Sequence, residues 1–348
     1  MDQNRQDANA GSAAQEGEPT VVAERRGRTG FILLNRPKAL NALSGDMIAR
    51  MHAALIGWAD DDSVDQVVVH GAGERGLCAG GDIVAVYKDF TDGDGSASEH
   101  FFRSEYSLDN YTAEYPKPYV AVMDGLVLGG GVGISAHGSV RVVTERTKLG
   151  MPETGIGFLP DVGATYLLPR VPGELGTYMA LTGEMVTGAD AVALGLADVV
   201  VESAKLEELM KAVEEEPVAD VLARLKSEAP KSELLAQREW IDEAFAGNDP
   251  RQIVARLREG GHGDVADTIE SKSPTSTFVT LELLREGAGQ TLREAFDAEL
   301  EAGMHLIRSG EMIEGIRAQV VDKDKYPKWN PGRLEDVSQE RVDEILGR

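Results

Sequence analysis

Apolar positions along the chain alternate between a period of two and a helical period, and the alternation recurs. Residues 21–24 and 29–34 are short β-prone runs separated by charged residues and Gly27, and they end in the turn Asn35-Arg36-Pro37, so an antiparallel hairpin is expected. Ser44 then precedes Met47, Ile48, Met51, Leu55 and Trp58 at helical spacing, and the run QVVVH at 66–70 follows as a buried strand. The same order returns further on. A polar segment at 92–98 leads into an expected helix over 99–115, followed by a strand over 119–123 that ends at Gly125. A short helix opens in the glycine run Gly129-Gly130-Gly131, and residues 140–144 and 197–201 read as later strands. Strands alternating with helices predict an α/β sheet in which the helices are crossovers.

From about Glu202 the pattern changes. The chain becomes charged and helix-favouring, with periodic stretches at 206–213, 218–225 and 281–307, loops at 247–250 and 260–263, and a turn at 272–276 that caps the next helix. No linker separates this part from what precedes it. The expected division is a disordered tail over 1–19, a core over 20–201, and a helical C-terminal region over 202–348 packed on that core.

Composition narrows the function. A formal net charge of −24 over 348 residues repels nucleic acid and anionic membranes at long range, so neither is an expected partner and an anionic ligand would need a local basic site. The first twenty residues hold no apolar stretch that could act as a signal-peptide core or a membrane span. With one cysteine, Cys78, an internal disulfide is impossible and a cysteine-rich metal site is excluded, which makes the cytoplasm the expected location.

Three segments carry candidate chemistry. Cys78-Ala79-Gly80-Gly81-Asp82-Ile83 follows a strand and loop, and Gly125 to Gly133 follows a second strand and opens a helix. Glycine lets backbone approach a ligand closely, and N–H groups at such junctions favour negative charge. A pair of them would suit thioester chemistry, where charge accumulates on the carbonyl oxygen. Each run alone reads more readily as a tight strand-to-helix junction, and neither matches a phosphate-binding spacing. The third segment, Met151 to Gly163, places Glu153 and Asp161 in an apolar loop shaped by proline and glycine. Carboxylates in such surroundings have raised pKa values and can act as acid, base or nucleophile near neutrality. The alternatives are Glu153 as an N-cap or paired with an arginine such as Arg170, and Asp161 as a cap of the helix after Pro160. His137 reads as a satisfied structural histidine and Cys78 as a small packed residue.

In their order and spacing these segments resemble the crotonase (enoyl-CoA hydratase/isomerase) superfamily, from about residue 20 to the C-terminus. The segment Asn35-Arg36-Pro37-Lys38-Ala39-Leu40-Asn41-Ala42-Leu43 is similar to that superfamily's first CoA-contacting loop. The resemblance implies an α/β, ClpP/crotonase-type ββα superhelix with a helical C-terminal region. It implies Gly81 and Gly130 as backbone oxyanion donors, and Arg36, Lys38, Ala39, Ala79, Gly80, Asp82, Ile83 and Gly129 as substrate-binding residues, with Lys323, Lys325 and Lys328 further candidates for CoA phosphates. Hydratases of the superfamily carry a glutamate shortly after the glycine run, where this chain has Gly133, and usually a glycine where this chain has Asp161. The Glu153/Asp161 pair, with Lys117 to Ala121, Gly131 to Gly138, Ser273 to Ser276 and the tail Glu314 to Pro331, resembles the 3-hydroxyisobutyryl-CoA hydrolases. That implies a thioester hydrolase of valine catabolism, with coenzyme A as part of the substrate, no separate cofactor or metal, and a homo-oligomer of the trimer or paired-trimer kind. An enoyl-CoA hydratase or isomerase is the alternative, and a non-catalytic acyl-CoA-binding protein a third.

Overall fold

The computed structural model describes residues 19–348, so the expected tail lies outside the described residues except for Pro19. The hairpin forms as β1 (Val21–Arg26) and β2 (Thr29–Leu34), antiparallel with Val21 opposite Leu34. Helix α1 (Gly45–Ala59) starts where Ser44 Oγ accepts from Met47 N at 3.4 Å, and it buries Met47, Ile48, Met51 and Leu55.

The chain then winds repeatedly between two sheets. Strands β3 (Gln66–Gly71) and β4 (Gly76–Cys78) lead to α2 (Ile83–Asp92) and α3 (Ser96–Ala113). Strands β5 (Tyr119–Met123) and β6 (Leu126–Leu128) lead to α4 (Gly130–Ala136), and β7 (Val140–Val143) and β8 (Lys148–Gly150) follow. Later come β9 (Val186–Thr187), β10 (Val199–Val201) and β11 (Lys226–Ser227). The larger sheet has the order β1-β2-β3-β5-β7-β10-β11, and the smaller β4-β6-β8-β9. The first strand of each turn enters the larger sheet and the second the smaller, which is the ββα superhelix that the resemblance implied. Pairing from β2 through β10 is parallel, as crossover helices require.

Two elements differ from the sequence expectation. Helix α2 occupies a stretch for which no element was expected, between the glycine segment that ends at Ile83 and the polar segment that begins at Asp92, although Ile83, Val86, Tyr87 and Phe90 recur along it at helical spacing and pack on the core. The stretch 281–307 is not one helix but two, Pro274–Gly287 and Leu292–Arg308. Thr291 and Glu294 form a reciprocal capping box there, which starts a new helix. Ser273 caps the first of these, accepting from Ser276 N at 3.1 Å.

One apolar cluster runs through both halves of the chain, joining Met47, Val69 and Tyr119 to Leu284, Leu306 and Ile307. A smaller cluster covers the other face of the large sheet, where Phe31, Val68, Val120 and Val142 pack under Leu209, Val213 and Val221. Among the described residues no helix is long and apolar enough to cross a membrane, and no group of three or more His, Cys, Asp or Glu is arranged to hold a metal ion.

Candidate active site

Strands β4, β6 and β8 are parallel neighbours in the small sheet. Their C-terminal ends therefore lie side by side, and the segments leaving them are the three singled out in the sequence. In open α/β sheets a ligand crevice forms outside such strand ends. Here a cavity of about 180 Å³ is lined by Gly81, Gly130, Glu153 and Asp161 together with Ala79, Gly80, Ile83 and Gly129.

The glycines leave the backbone bare. Gly129 adopts φ +49° and ψ −120°, and a Cβ on it would stand 2.7 Å from Glu153 Oε1. Gly80, at φ +102°, would place a Cβ 3.9 Å from Gly130 N, so the two glycine segments abut. The bridge between Leu43 and Gly81 uses Leu43 N to Gly80 O and Asp82 N to Leu43 O, both 2.8 Å, and not the amide of Gly81. At Gly130 the amide belongs to the first turn of α4, ahead of the first bonds, Val132 N and Gly133 N to Gly129 O.

Glu153 and Asp161 share this cavity with a third carboxyl, Glu105 on α3. Glu105 Oε1, both carboxyl oxygens of Asp109 one turn further on, and Glu153 Oε2 are buried without a hydrogen-bond partner in the protein. Asp161 Oδ2 accepts from the Tyr106 hydroxyl at 2.6 Å. Burial, then the charge of Asp161, pushes Glu153 well above the usual carboxylate range. Burial pushes Asp161 up to about 7 against the lowering effect of the Tyr106 bond. Glu105 and Asp109 are also held well up, by burial first and neighbouring carboxylates second. So many carboxyls in one buried space cannot all ionise, and near neutral pH some keep their protons while another is charged.

The loop bearing Asp161 is held from outside. Val162 has φ +53°, a left-handed conformation costly for a β-branched residue. His137 Nε2 lies 2.8 Å from Val162 O, and burial holds its imidazole down to about 4, so it is the neutral ring that donates. Glu299 accepts from Gly163 N (2.7 Å), Thr165 N (2.8 Å) and Thr165 Oγ1 (2.6 Å). Neither alternative reading of the acidic residues is seen. Arg170 bonds carbonyls of Tyr166, Gly287 and Gln290, and the short helix after Asp161 begins at Ala164 without a side-chain cap.

Several sequence candidates fall outside the cavity. Arg36 is engaged by Asp82 Oδ2 (3.0 Å) and Ala42 O (2.6 Å), so both members of that ion pair serve the loop itself. Lys38 and Ala39 are exposed in the turn Pro37–Ala39, and Lys323, Lys325 and Lys328 are exposed on the C-terminal tail. Cys78 is fully buried and its thiol is pushed up to about 12. Sequence reasoning missed Glu105, Tyr106 and Asp109. Their signal was available: on α3 they share the buried face with Ser98, Phe102, Leu108 and Thr112, and acidic residues on an apolar helix face are seldom there for packing. It also missed Met312, a cavity wall that comes from far along the chain.

Glycine amides and buried carboxyls at the strand ends of a superhelix of two sheets are the arrangement that the resemblance to the crotonase superfamily implied. The sequence pattern of the enoyl-CoA hydratase/isomerase family matches residues 29–346, and the chain belongs to that family. It is 41% identical over 340 residues to a protein of Danio rerio named 3-hydroxyisobutyryl-CoA hydrolase, mitochondrial, covering 94% of this chain and 89% of that one. It also resembles the crystal structure of a carnitinyl-CoA dehydratase from Mycobacterium thermoresistibile, with TM-score 0.91, 45% identity, and coverage of 94% and 96% of the two chains. An enoyl-CoA hydratase from Rhodobacter sphaeroides gives TM-score 0.89 at 37% identity, covering 94% and 97%. The expected cytoplasmic location does not stand, because the Danio rerio relative is named as mitochondrial. A lone cysteine fits any reducing compartment, so composition had no power to choose among them.

Proposed function

We propose that this protein hydrolyses an acyl-CoA thioester, with 3-hydroxyisobutyryl-CoA as its substrate and valine breakdown as its setting. The observation that carries the reading is the pair Glu153 and Asp161, buried on one small cavity beside the bare amides of Gly81 and Gly130. The thioester oxygen sits between those two amides, which stabilise it as charge builds. Glu153, ionised, takes a proton from the water that attacks the carbonyl carbon, or attacks that carbon itself to give an anhydride that water then cleaves, freeing the acid and restoring the carboxylate. The C–S bond breaks, and Asp161 supplies the proton that the leaving thiolate takes up. Two neighbouring carboxyls that are both held up can exchange a proton, and the reactive form is the one with the charge on Glu153 and the proton on Asp161. Glu105 faces the same space as a neutral carboxyl able to donate to the substrate hydroxyl. Coenzyme A enters only as part of the substrate. We assign these roles to the core of residues 20–201, with residues 202–348 as its helical cover.

The names of the two structural relatives favour a hydratase or dehydratase as the second reading. Gly133 argues against it. A Cβ there would stand 2.7 Å from Val162 Cβ and against the carboxyl of Asp109, so the superfamily's first glutamate has no space. Thiol release from 3-hydroxyisobutyryl-CoA, measured beside the loss of crotonyl-CoA absorbance, separates the readings. Free CoA should appear with little hydration. Glu153→Gln should cut hydrolysis by about 10²–10⁴ while the ester still binds. Near-wild-type hydrolysis by that variant, or hydration that outpaces hydrolysis, would overturn the proposal.

A further inference from the structure

A second hollow, of about 630 Å³, lies on the other side of the wall that closes the catalytic cavity. It is a groove between α1, α2 and α3, floored by apolar side chains such as Ile48, Ala49, Ala53, Ile56 and Ala85. Ile56 is 57% exposed there, an unusual position for an isoleucine on a chain with so few exposed large apolar residues. The groove and the cavity have two lining residues in common, Val86 of α2 and Phe101 of α3. Val86 is buried, and it is the side chain that anchors α2. The Phe101 ring lies against the oxyanion segment, since a Cβ on Gly81 would meet its ring atoms at 3.2 and 3.3 Å. Phe101 leans edge-on against Phe102 with centroids 5.4 Å apart, and Phe102 stacks on Phe158 at 5.4 Å. The ring is therefore braced from the catalytic side and stands between the small space that holds the carboxyls and a larger apolar one.

We propose that Phe101, backed by Val86, sets the acyl-chain length this enzyme accepts, by walling the reacting centre off from an apolar groove that would otherwise take the tail of a medium-chain acyl-CoA. The proposal rests on the acyl-CoA reading of the site. Its physical content is that the groove already has the volume and the apolar lining for a methylene chain, and that one ring denies access to it. A short, hydroxylated acyl group fits in front of the ring, beside the carboxyls. A straight chain of eight carbons has to pass where the ring stands.

The test measures binding of the unreactive thioethers S-butyl-CoA and S-octyl-CoA by calorimetry, together with thioester hydrolysis for acyl groups of four to ten carbons. Wild type should favour the short chain in both. In Phe101→Ala the octyl-to-butyl ratio should rise by at least ~10-fold, since each methylene newly buried is worth about fourfold. Phe101→Leu, which keeps an apolar wall and guards against a folding failure, should hold close to the wild-type ratio. Ala53→Trp, on the exposed face of α1 within the groove, should abolish the gain when added to Phe101→Ala. A ratio within twofold of wild type in folded Phe101→Ala, or a gain that survives Ala53→Trp, would overturn the wall. Absence of thioester hydrolysis by wild type with the thioether ratios behaving as stated would instead sink the hydrolase reading and leave the wall standing.

Discussion

Restoring the glutamate that hydratases carry after the glycine run should fail, and the structure says by how much. Gly133 is fully enclosed within α4, and a Cβ on it would stand 2.7 Å from Val162 Cβ and against Asp109. Gly133→Ala therefore overpacks the site at a cost of about 1–3 kcal/mol, offset by about 1 kcal/mol of helix propensity. Gly133→Glu adds a further carboxyl to a space where Glu105 and Asp109 are already held neutral. Keeping that new group neutral at pH 7.5 costs about 4 kcal/mol, because each pKa unit is worth about 1.4 kcal/mol. The total is roughly 4–6 kcal/mol, which lowers a urea midpoint by roughly 1–2 M. The sign with pH is fixed. A group whose folded pKa is raised contributes stability below its unfolded pKa and loses it as pH rises, so the deficit of Gly133→Glu should shrink at pH 5, toward that of Gly133→Ala. Pressure on Val162 also displaces Asp161, so hydrolysis should fall without hydration appearing. Urea denaturation at both pH values, with thiol release and crotonyl-CoA absorbance, checks each part. A Gly133→Glu protein with a wild-type midpoint and brisk crotonyl-CoA hydration would refute the reasoning.

Three further outcomes follow from the partners of the same loop. Tyr106→Phe removes the hydroxyl that lowers Asp161, so its carboxyl rises above about 7 and the pH profile of kcat/KM moves to higher pH; an unmoved profile would mean the bond does not act on Asp161. Glu299 is pushed up to about 8 by burial, so its contribution to stability is complete below about 4.5 and lost as pH rises through about 8. Melting midpoints followed from pH 5 to 9 should fall less in Glu299→Gln than in wild type, and equal slopes would count against that assignment. Glu299→Ala, which orphans two buried amides, should cost about 3 kcal/mol at pH 7.

Much of this fold was legible because its strands are short, apolar and bounded by glycine and proline, as in QVVVH at 66–70 or Tyr119–Met123. The segments carrying Gly81, Gly130, Glu153 and Asp161 stood out because glycine next to an acid in an apolar loop has few packing reasons to occur. What stayed hidden was which strands belong to which sheet. A three-residue strand such as Gly76–Cys78 has too few positions to show a period, yet it is the neighbour relation of β4, β6 and β8 that gathers the site. Glu105 and Asp109 were missed for another reason. Phe102, Glu105, Tyr106 and Asp109 recur at helical spacing, so the two acids lie on the apolar face of α3, a pattern that was present in the sequence and not used. Hidden too was the pairing of the Arg36 guanidinium with Asp82, two residues far apart in sequence.

The loop of Asp161 depends on Glu299, and one wall of the catalytic cavity is Met312, so the reacting centre is built from both ends of a long stretch of chain. During synthesis the ribosome releases β1 through β10 well before either residue exists outside the exit tunnel. The growing polypeptide can thread its glycine segments together, but the strained Val162 turn has no clasp and the cavity no lid of sulfur and methylene until the last helices emerge. Catalytic competence thus arrives only with the final portion of translation, and a ribosome that stops early releases a product that holds the acids of the site without the means to aim them.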